Sequence, residues 1–184
     1  MLSKQDILNL AMMRLGNTNL INENQQYLDV LYSAGIKILL GVYYWSFSQR
    51  VIQLPLVNDT TEIYGYKYKY TLPSDMASLI KVYNASFFDN NYTIVGGYLH
   101  SNYTPLYLLY VSDSYYPDDV FPSHFGDMFA YWIAKEACSV LAKMELLPTL
   151  TALYEKSLTK AMGVDGKNKP TVILNSDYYI NSRY

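Results

Sequence analysis

The sequence predicts an α+β fold, mainly α: a four-helix bundle built from both chain ends, with an inserted small antiparallel β module and an extended C-terminal arm. Three observations predict it. Apolar residues recur at helical spacing over both ends of the chain, they change to a period of two over residues 50–116, and the final segment is apolar and aromatic but too short to fold alone. With 184 residues, 51% of them apolar, the chain has the material for one core or for a domain carrying an inserted module.

The first helix starts at Ser3, an N-cap whose third following residue, Asp6, completes a capping box, and it ends at Gly16 and Asn17. A second helix begins near Asn22 and places Leu28, Leu31, Tyr32, Ile36, Leu39, Leu40 and Tyr43 at helical spacing. Gly35 and Gly41 lie inside it at a cost of about 1 kcal/mol each against alanine, which points to close packing on another helix.

Six short strands follow, at 51–54, 64–72, 78–83, 92–95, 98–100 and 106–111, separated by Asn, Asp, Gly and Pro turn signals. They read as one small sheet module. Gly96-Gly97 marks a hairpin, since a tight turn needs the positive φ that glycine adopts without strain. No phosphate-loop pattern surrounds this pair.

Helical spacing returns after Ser123 with Phe125, Met128, Phe129, Trp132, Ile133, Ala137, Val140, Leu141 and Met144, and Pro148 is expected to break that helix. A last helix from Thr149 is expected to stop at Gly163 and Gly166. The boundaries that result are a bundle from 1–49 and 121–163, a β module at 50–120 and an arm at 164–184. Fully extended, the arm reaches roughly 70 Å, enough to touch a neighbouring subunit.

Composition narrows the function. A net charge of −2 lacks the positive field with which a dedicated nucleic-acid binder gathers phosphates. The single cysteine, Cys138, forms no intramolecular disulfide and reads as a small buried residue of a protein made in a reducing cytoplasm. The polar start around Lys4 and Asp6 gives no signal peptide, the apolar stretch at 38–45 is too short to span a bilayer, and the Asn-x-Ser/Thr triplets from Asn58, Asn84, Asn91 and Asn102 are then without use. Twenty-one tyrosines against six phenylalanines are too many phenols for one dry core and ask for surfaces packed on one side and wet on the other.

No catalytic residue, metal ligand or cofactor is expected. His100, His124 and Cys138 stand at no ligand spacing, and no nucleophile has a local signature. Asp113, Asp118, Asp119 and Asp127 are the acids a hydrolase could use, although "PDDVFPSHF" at 117–125 reads more simply as acids at a helix N-terminus. The interface candidates are Tyr64, Tyr66, Tyr68 and Tyr70 on one face of "YGYKYKYTLPSD", and Val172, Ile173, Leu174, Tyr178, Tyr179, Ile180 and Tyr184 in the arm. Alternation puts Lys67 and Lys69 opposite the tyrosines, so the ribbon packs on one face, against the module core or a neighbouring subunit. Lysines alternating in this way mark a solvated strand face more often than a nucleic-acid stripe.

Several stretches, in this order and spacing, resemble the head-to-tail adaptor proteins of short-tailed phages, the tail tubular protein A or tail accessory factor group. They are "DILNLAMMRLGN" (6–17), "YYWSFSQR" (43–50), "YKYKYTLPSDMASLIKVY" (66–83), "IVGGYLHS" (94–101), "LYLLYVS" (106–112) and "FPSHFGDMFAYWIAKEACSVLA" (121–142). The more specific points are Leu15-Gly16, Trp45 and Phe47 before Arg50, Leu72-Pro73 with Asp75, Gly96-Gly97, Tyr110, and Pro122 with Phe125. The tyrosine bias and short tail are similar to crAss-like phage members, where such adaptors are called ring proteins.

The resemblance implies a non-enzymatic virion protein, made in the host cytoplasm. It would form a dodecameric ring of identical chains docked on the portal protein, extending the DNA channel and offering a platform for the next tail or ring protein. Genomic DNA would pass through the lumen without sequence-specific binding, and no membrane is involved. A ring needs a heterologous contact between two different patches, which gives amphipathic tyrosines a use. The other readings are a cell-wall hydrolase with two converging carboxylates, and a DNA-contacting module using Lys67, Lys69 and Lys81.

Overall fold

The computed structural model describes residues 1–16, 21–58, 65–84, 91–114 and 120–167. Helix α1 (Lys4–Arg14) opens on the expected capping box: the Asp6 N–H donates to Ser3 Oγ at 3.2 Å, and the Asp6 carboxylate accepts from the Ser3 N–H at 3.0 Å. Those bonds, the Ser3 backbone bond first, lower the pKa of Asp6. Ile7, Leu8, Ala11 and Met12 form its buried side, and Gly16 turns the chain away at φ +70°.

Helix α2 (Ile21–Val42) leads through a 3-10 turn at Ser46–Ser48 into strand β1 (Gln49–Gln53). Strands β2 (Tyr68–Thr71), β3 (Met76–Tyr83), β4 (Tyr92–Val95), β5 (Tyr98–Ser101) and β6 (Tyr107–Ser112) follow, then α3 (Ser123–Ala137), a 3-10 turn at Met144–Leu146 and α4 (Leu147–Lys167).

The α+β class holds; the four-helix bundle does not. Helix α3 buries nine of its fifteen residues, Phe125, Gly126, Met128, Phe129, Ala130, Trp132, Ile133, Ala134 and Ala137, and so occupies the centre. Helices α1, α2 and α4 are each packed on α3, and α2 also leans on β3 and β6. In a bundle, four helices of similar burial share one core. Here the wide apolar girth of α3 draws the other three onto it, and a sheet takes part of the helical flank.

Two helix ends also differ from expectation. Helix α3 stops at Ala137, not before Pro148. The Leu141 N–H bonds to the Ala137 carbonyl and the Lys143 N–H to the Cys138 carbonyl, with Ala142 at φ +51°, so the chain reverses in a tight turn. Pro148 instead sits in the first turn of α4, where a missing N–H costs nothing. Helix α4 continues past Gly163 and Gly166 to Lys167, so residues 164–167 belong to a helix and not to an arm.

The β segment forms two antiparallel three-stranded sheets, β1-β6-β3 and β2-β5-β4, in place of one. Strand β6 is the central wall of the first sheet. Its Leu108 and Tyr110 enter a core shared with Leu54, Tyr70, Val82, Leu99 and Leu106, while Val111 points into the helical core, beside which Ile80 of β3 packs. The layers therefore run helices, first sheet, second sheet. Gly96 and Gly97, at φ +58° and +80°, make the tight β4–β5 turn that the glycine pair predicts.

Candidate interaction surfaces

The tyrosine ribbon can now be placed. Strand β5 pairs on both sides, giving cross-sheet rows of Ile94, Leu99 and Tyr70, then Tyr92, Ser101 and Tyr68; the alternate rows hold Thr93, His100 and Lys69, then Val95, Tyr98 and Thr71. Residues in one row share a face. Tyr70 is buried in the inter-sheet core, with Tyr68 and Tyr92 packed against it. The Tyr70 hydroxyl donates to the Tyr103 carbonyl at 2.6 Å, and burial pushes its pKa up.

On the other face Lys69 Nζ lies 4.3 Å from the centre of the Tyr98 ring, a cation–π contact. The alternation read from the sequence is thus present, and Tyr68 and Tyr70 use it inside the molecule. The half-buried Tyr66 reaches Asn91 Oδ1 through its hydroxyl at 3.3 Å. Tyr64, Val172, Ile173, Leu174, Tyr178, Tyr179, Ile180 and Tyr184 lie outside the described residues.

Residues far apart in sequence meet in two clusters. Trp45 packs edge-on against Phe125 with centroids 5.1 Å apart, Phe47 meets Phe125 at 5.0 Å and Phe121 at 6.2 Å, and Trp45 Nε1 donates to the Leu39 carbonyl at 2.8 Å. This aromatic group locks the end of α2 onto the start of α3. In the second cluster the Asp75 carboxylate accepts from the Tyr110 hydroxyl at 3.1 Å and from the Ser112 hydroxyl at 2.6 Å. Desolvation is the largest single influence on Asp75 and pushes its pKa up, but the Ser112 and Tyr110 bonds and the Arg50 charge together outweigh it, leaving the carboxyl below its ordinary value. The Tyr110 phenol moves up, first through burial and then through Asp75.

Of the acids considered for hydrolysis that are described, Asp127 has its carboxylate engaged and Asp113 is held by its backbone. Asp127 pairs with the Arg14 guanidinium, which also bonds the Asp127 carbonyl at 2.9 Å and lies 3.4 Å over the Tyr131 ring. The Asp113 N–H donates to the Asp75 carbonyl at 2.9 Å. Asp118 and Asp119 lie outside the described residues. Cys138 is buried, its thiol donates to the Ala134 carbonyl at 3.3 Å, and burial raises its pKa. Among the described residues no three His, Cys, Asp or Glu side chains form a group able to hold a metal ion, and no helix is long and apolar enough to cross a membrane.

Two features escaped the sequence reading. The first is Asp165, fully buried on the last turn of α4, whose carboxylate accepts from the Ser46 N–H at 2.9 Å and the Ser46 hydroxyl at 2.7 Å. An isolated aspartate between two glycines carries no signal of burial. The second is a group of apolar side chains that stay exposed, among them Val30, Ile38 and Val42 on α2, Ile94 on one face of the second sheet with Val95 and Tyr98 on the other, and Val140, Met144 and Leu153 around the α3–α4 corner. Val30, Ile38 and Val42 could have been found as the apolar residues left over once the buried face of α2 had been assigned. Comparison of the chain with protein-family models and with curated proteins finds no match in either.

Proposed function

We propose that the protein is a structural virion component, an adaptor ring that docks on a portal, extends the DNA channel and carries the next tail component. The observation that carries this reading is the pair of exposed apolar groups on different parts of the fold: Val95 and Tyr98 in one row on the outer face of the second sheet, and Val140, Met144 and Leu153 at the α3–α4 corner. A closed ring of identical chains needs two unlike patches on every subunit, and clustered exposed apolar side chains are the usual mark of such contacts. The resemblance to phage adaptors adds to it. Its scattered points Trp45, Phe47 and Phe125, and separately Asp75 and Tyr110, come together as the two clusters that fix the helical part and the β part.

Native mass spectrometry of the protein with its portal tests the reading. The expected result is a closed multimer on the portal that is lost in Val140→Asp and Met144→Asp, whose exposed positions leave the fold intact. A monomer that turns over peptidoglycan, and stops doing so when one carboxylate is changed, would overturn it in favour of the hydrolase.

A further inference from the structure

The last turn of α4 is weak by itself. Residues 163–167 read "GVDGK": two of the five are glycines, which disfavour helix, and Asp165 alone of the five is buried while the others face solvent. Packing does not require the first glycine, since a Cβ on Gly163 would meet nothing within 4 Å. What holds the turn down is the Asp165 carboxylate. It takes the Ser46 N–H at 2.9 Å and the Ser46 hydroxyl at 2.7 Å, and so ties the end of α4 to the turn between α2 and β1.

This tie has a titratable neighbour. His124, in the first turn of α3, keeps its Nε2 shut off from solvent with no hydrogen-bond partner among the described residues, and the Asp165 Oδ1 that accepts from Ser46 lies 3.8 Å from it. An orphaned buried nitrogen beside a buried carboxylate calls for a reason. Nucleophilic catalysis does not supply one, because the Ser46 hydroxyl donates to Asp165 and not to the imidazole. Control by a proton does. The neutral imidazole fits the site as it stands, whereas an imidazolium there carries an unsolvated charge that is either expelled or draws Asp165 off Ser46, and both ease the tie.

Few charges surround the imidazole. From α4 it faces Asp165, which favours the proton, and burial opposes the proton more strongly. The turn after α2 presents the uncharged Ser46, and just past α2 the Tyr43 phenol stands near Gly166. Among the described residues no other charge acts on His124, neither Lys4, Asp6 and Arg14 on α1 nor Asp127 on its own helix.

We propose that His124, Asp165 and Ser46 form a proton-controlled latch, which holds the last turn of α4 on the molecule at neutral pH and lets it open when His124 is protonated. Opening exposes the imidazole to water, where it takes a proton at its ordinary affinity, while the closed state refuses one. The stability of the closed state is therefore present in full above the unfolded value of about 6.5 and is lost as pH falls through the folded one. One proton changes the opening constant by up to about tenfold per pH unit. The opening is confined to the end of α4 and stands whether or not the protein assembles into a ring.

Amide hydrogen exchange of the full chain tests the latch, read residue by residue as protection factors so that the intrinsic pH dependence of exchange is removed. From about pH 7.5 to about pH 5.5, opening at the Ser46 amide and at the amides of 165–167 should rise about tenfold, and in His124→Gln it should stay constant. The Phe129 and Ile133 amides inside α3 should remain at least about tenfold better protected throughout. Opening that ignores pH in the native chain, a pH response that survives in His124→Gln, or one common protection factor for α3 and the last turn would each overturn the proposal. Gly163→Ala, in open space on the helix, keeps the fold and should shift the turn toward closure about fivefold at either pH. Unchanged protection in that variant would mean that the last turn is not the part that moves, and would overturn the proposal as well.

Discussion

Asp165 and Ser46, 119 positions apart, close the molecule on itself: one buried carboxylate on the final turn of α4 satisfies both the backbone N–H and the hydroxyl of the turn that follows α2. Removing the carboxylate leaves both Ser46 donors short of a partner in a largely dry site. Asp165→Ala is therefore expected to lower stability by about 3 kcal/mol in urea unfolding. Asp165→Asn keeps one acceptor oxygen and should lose less. Equal, negligible losses for both variants would show that the contact is not structural.

His124 faces the same carboxylate, its Nε2 3.8 Å from Asp165 Oδ1, which is beyond hydrogen-bond reach. Burial is the largest influence and lowers the imidazole pKa below its ordinary 6.5, against the opposing pull of Asp165. The unfolded chain then takes up a proton that the folded chain refuses. This stability is present above the unfolded value and is lost as pH falls through the folded one. Urea midpoints measured from about pH 7.5 to about pH 5.5 should fall for the native protein. His124→Gln should flatten that slope; an unchanged slope would assign it to other groups.

Two glycines in one helix should answer differently to the same substitution. A Cβ on Gly35 would run into the Phe129 ring and stand 2.6 Å from a Trp132 ring atom, whereas a Cβ on Gly41 meets nothing within 4 Å. Gly35→Ala forces apart the contact between α2 and α3 and should cost about 1–3 kcal/mol. Gly41→Ala should instead stabilise by about 0.5–1 kcal/mol through helix propensity alone. Thermal unfolding of the pair separates the two signs.

Between the sheets, Tyr110→Phe removes one donor to Asp75 and should cost about 1 kcal/mol. Asp75→Ala strands two hydroxyls, those of Tyr110 and Ser112, and should cost more, about 2 kcal/mol. Chemical denaturation checks the order of the two; the reverse order would mean that the Asp75 bonds are solvent-replaceable.

Local chemistry was legible in the sequence and tertiary partnership was not. The Ser3–Asp6 box, the Gly96-Gly97 turn and the alternation of Tyr68 and Tyr70 with Lys69 are set by neighbours a few positions away, and each reads directly from residue type and period. The partners that bury α3 could not be read in the same way. Apolar girth shows that a helix is covered, but not whether helices or a sheet cover it, and the α2 flank met β3 and β6. Gly35 and Gly41 look alike in the sequence, and the positions of Phe129 and Trp132 tell them apart. The Ser46–Asp165 bond joins two ordinary polar residues whose proximity is decided by the whole fold.

The central claim, a ring-forming adaptor, is tested most directly by cryo-electron microscopy of the protein incubated with the portal of the same virus. The account predicts a closed ring of copies seated on the portal, with Val95 and Tyr98 of one subunit against the α3–α4 corner of the next. Bare portals beside a protein that stays monomeric would contradict it.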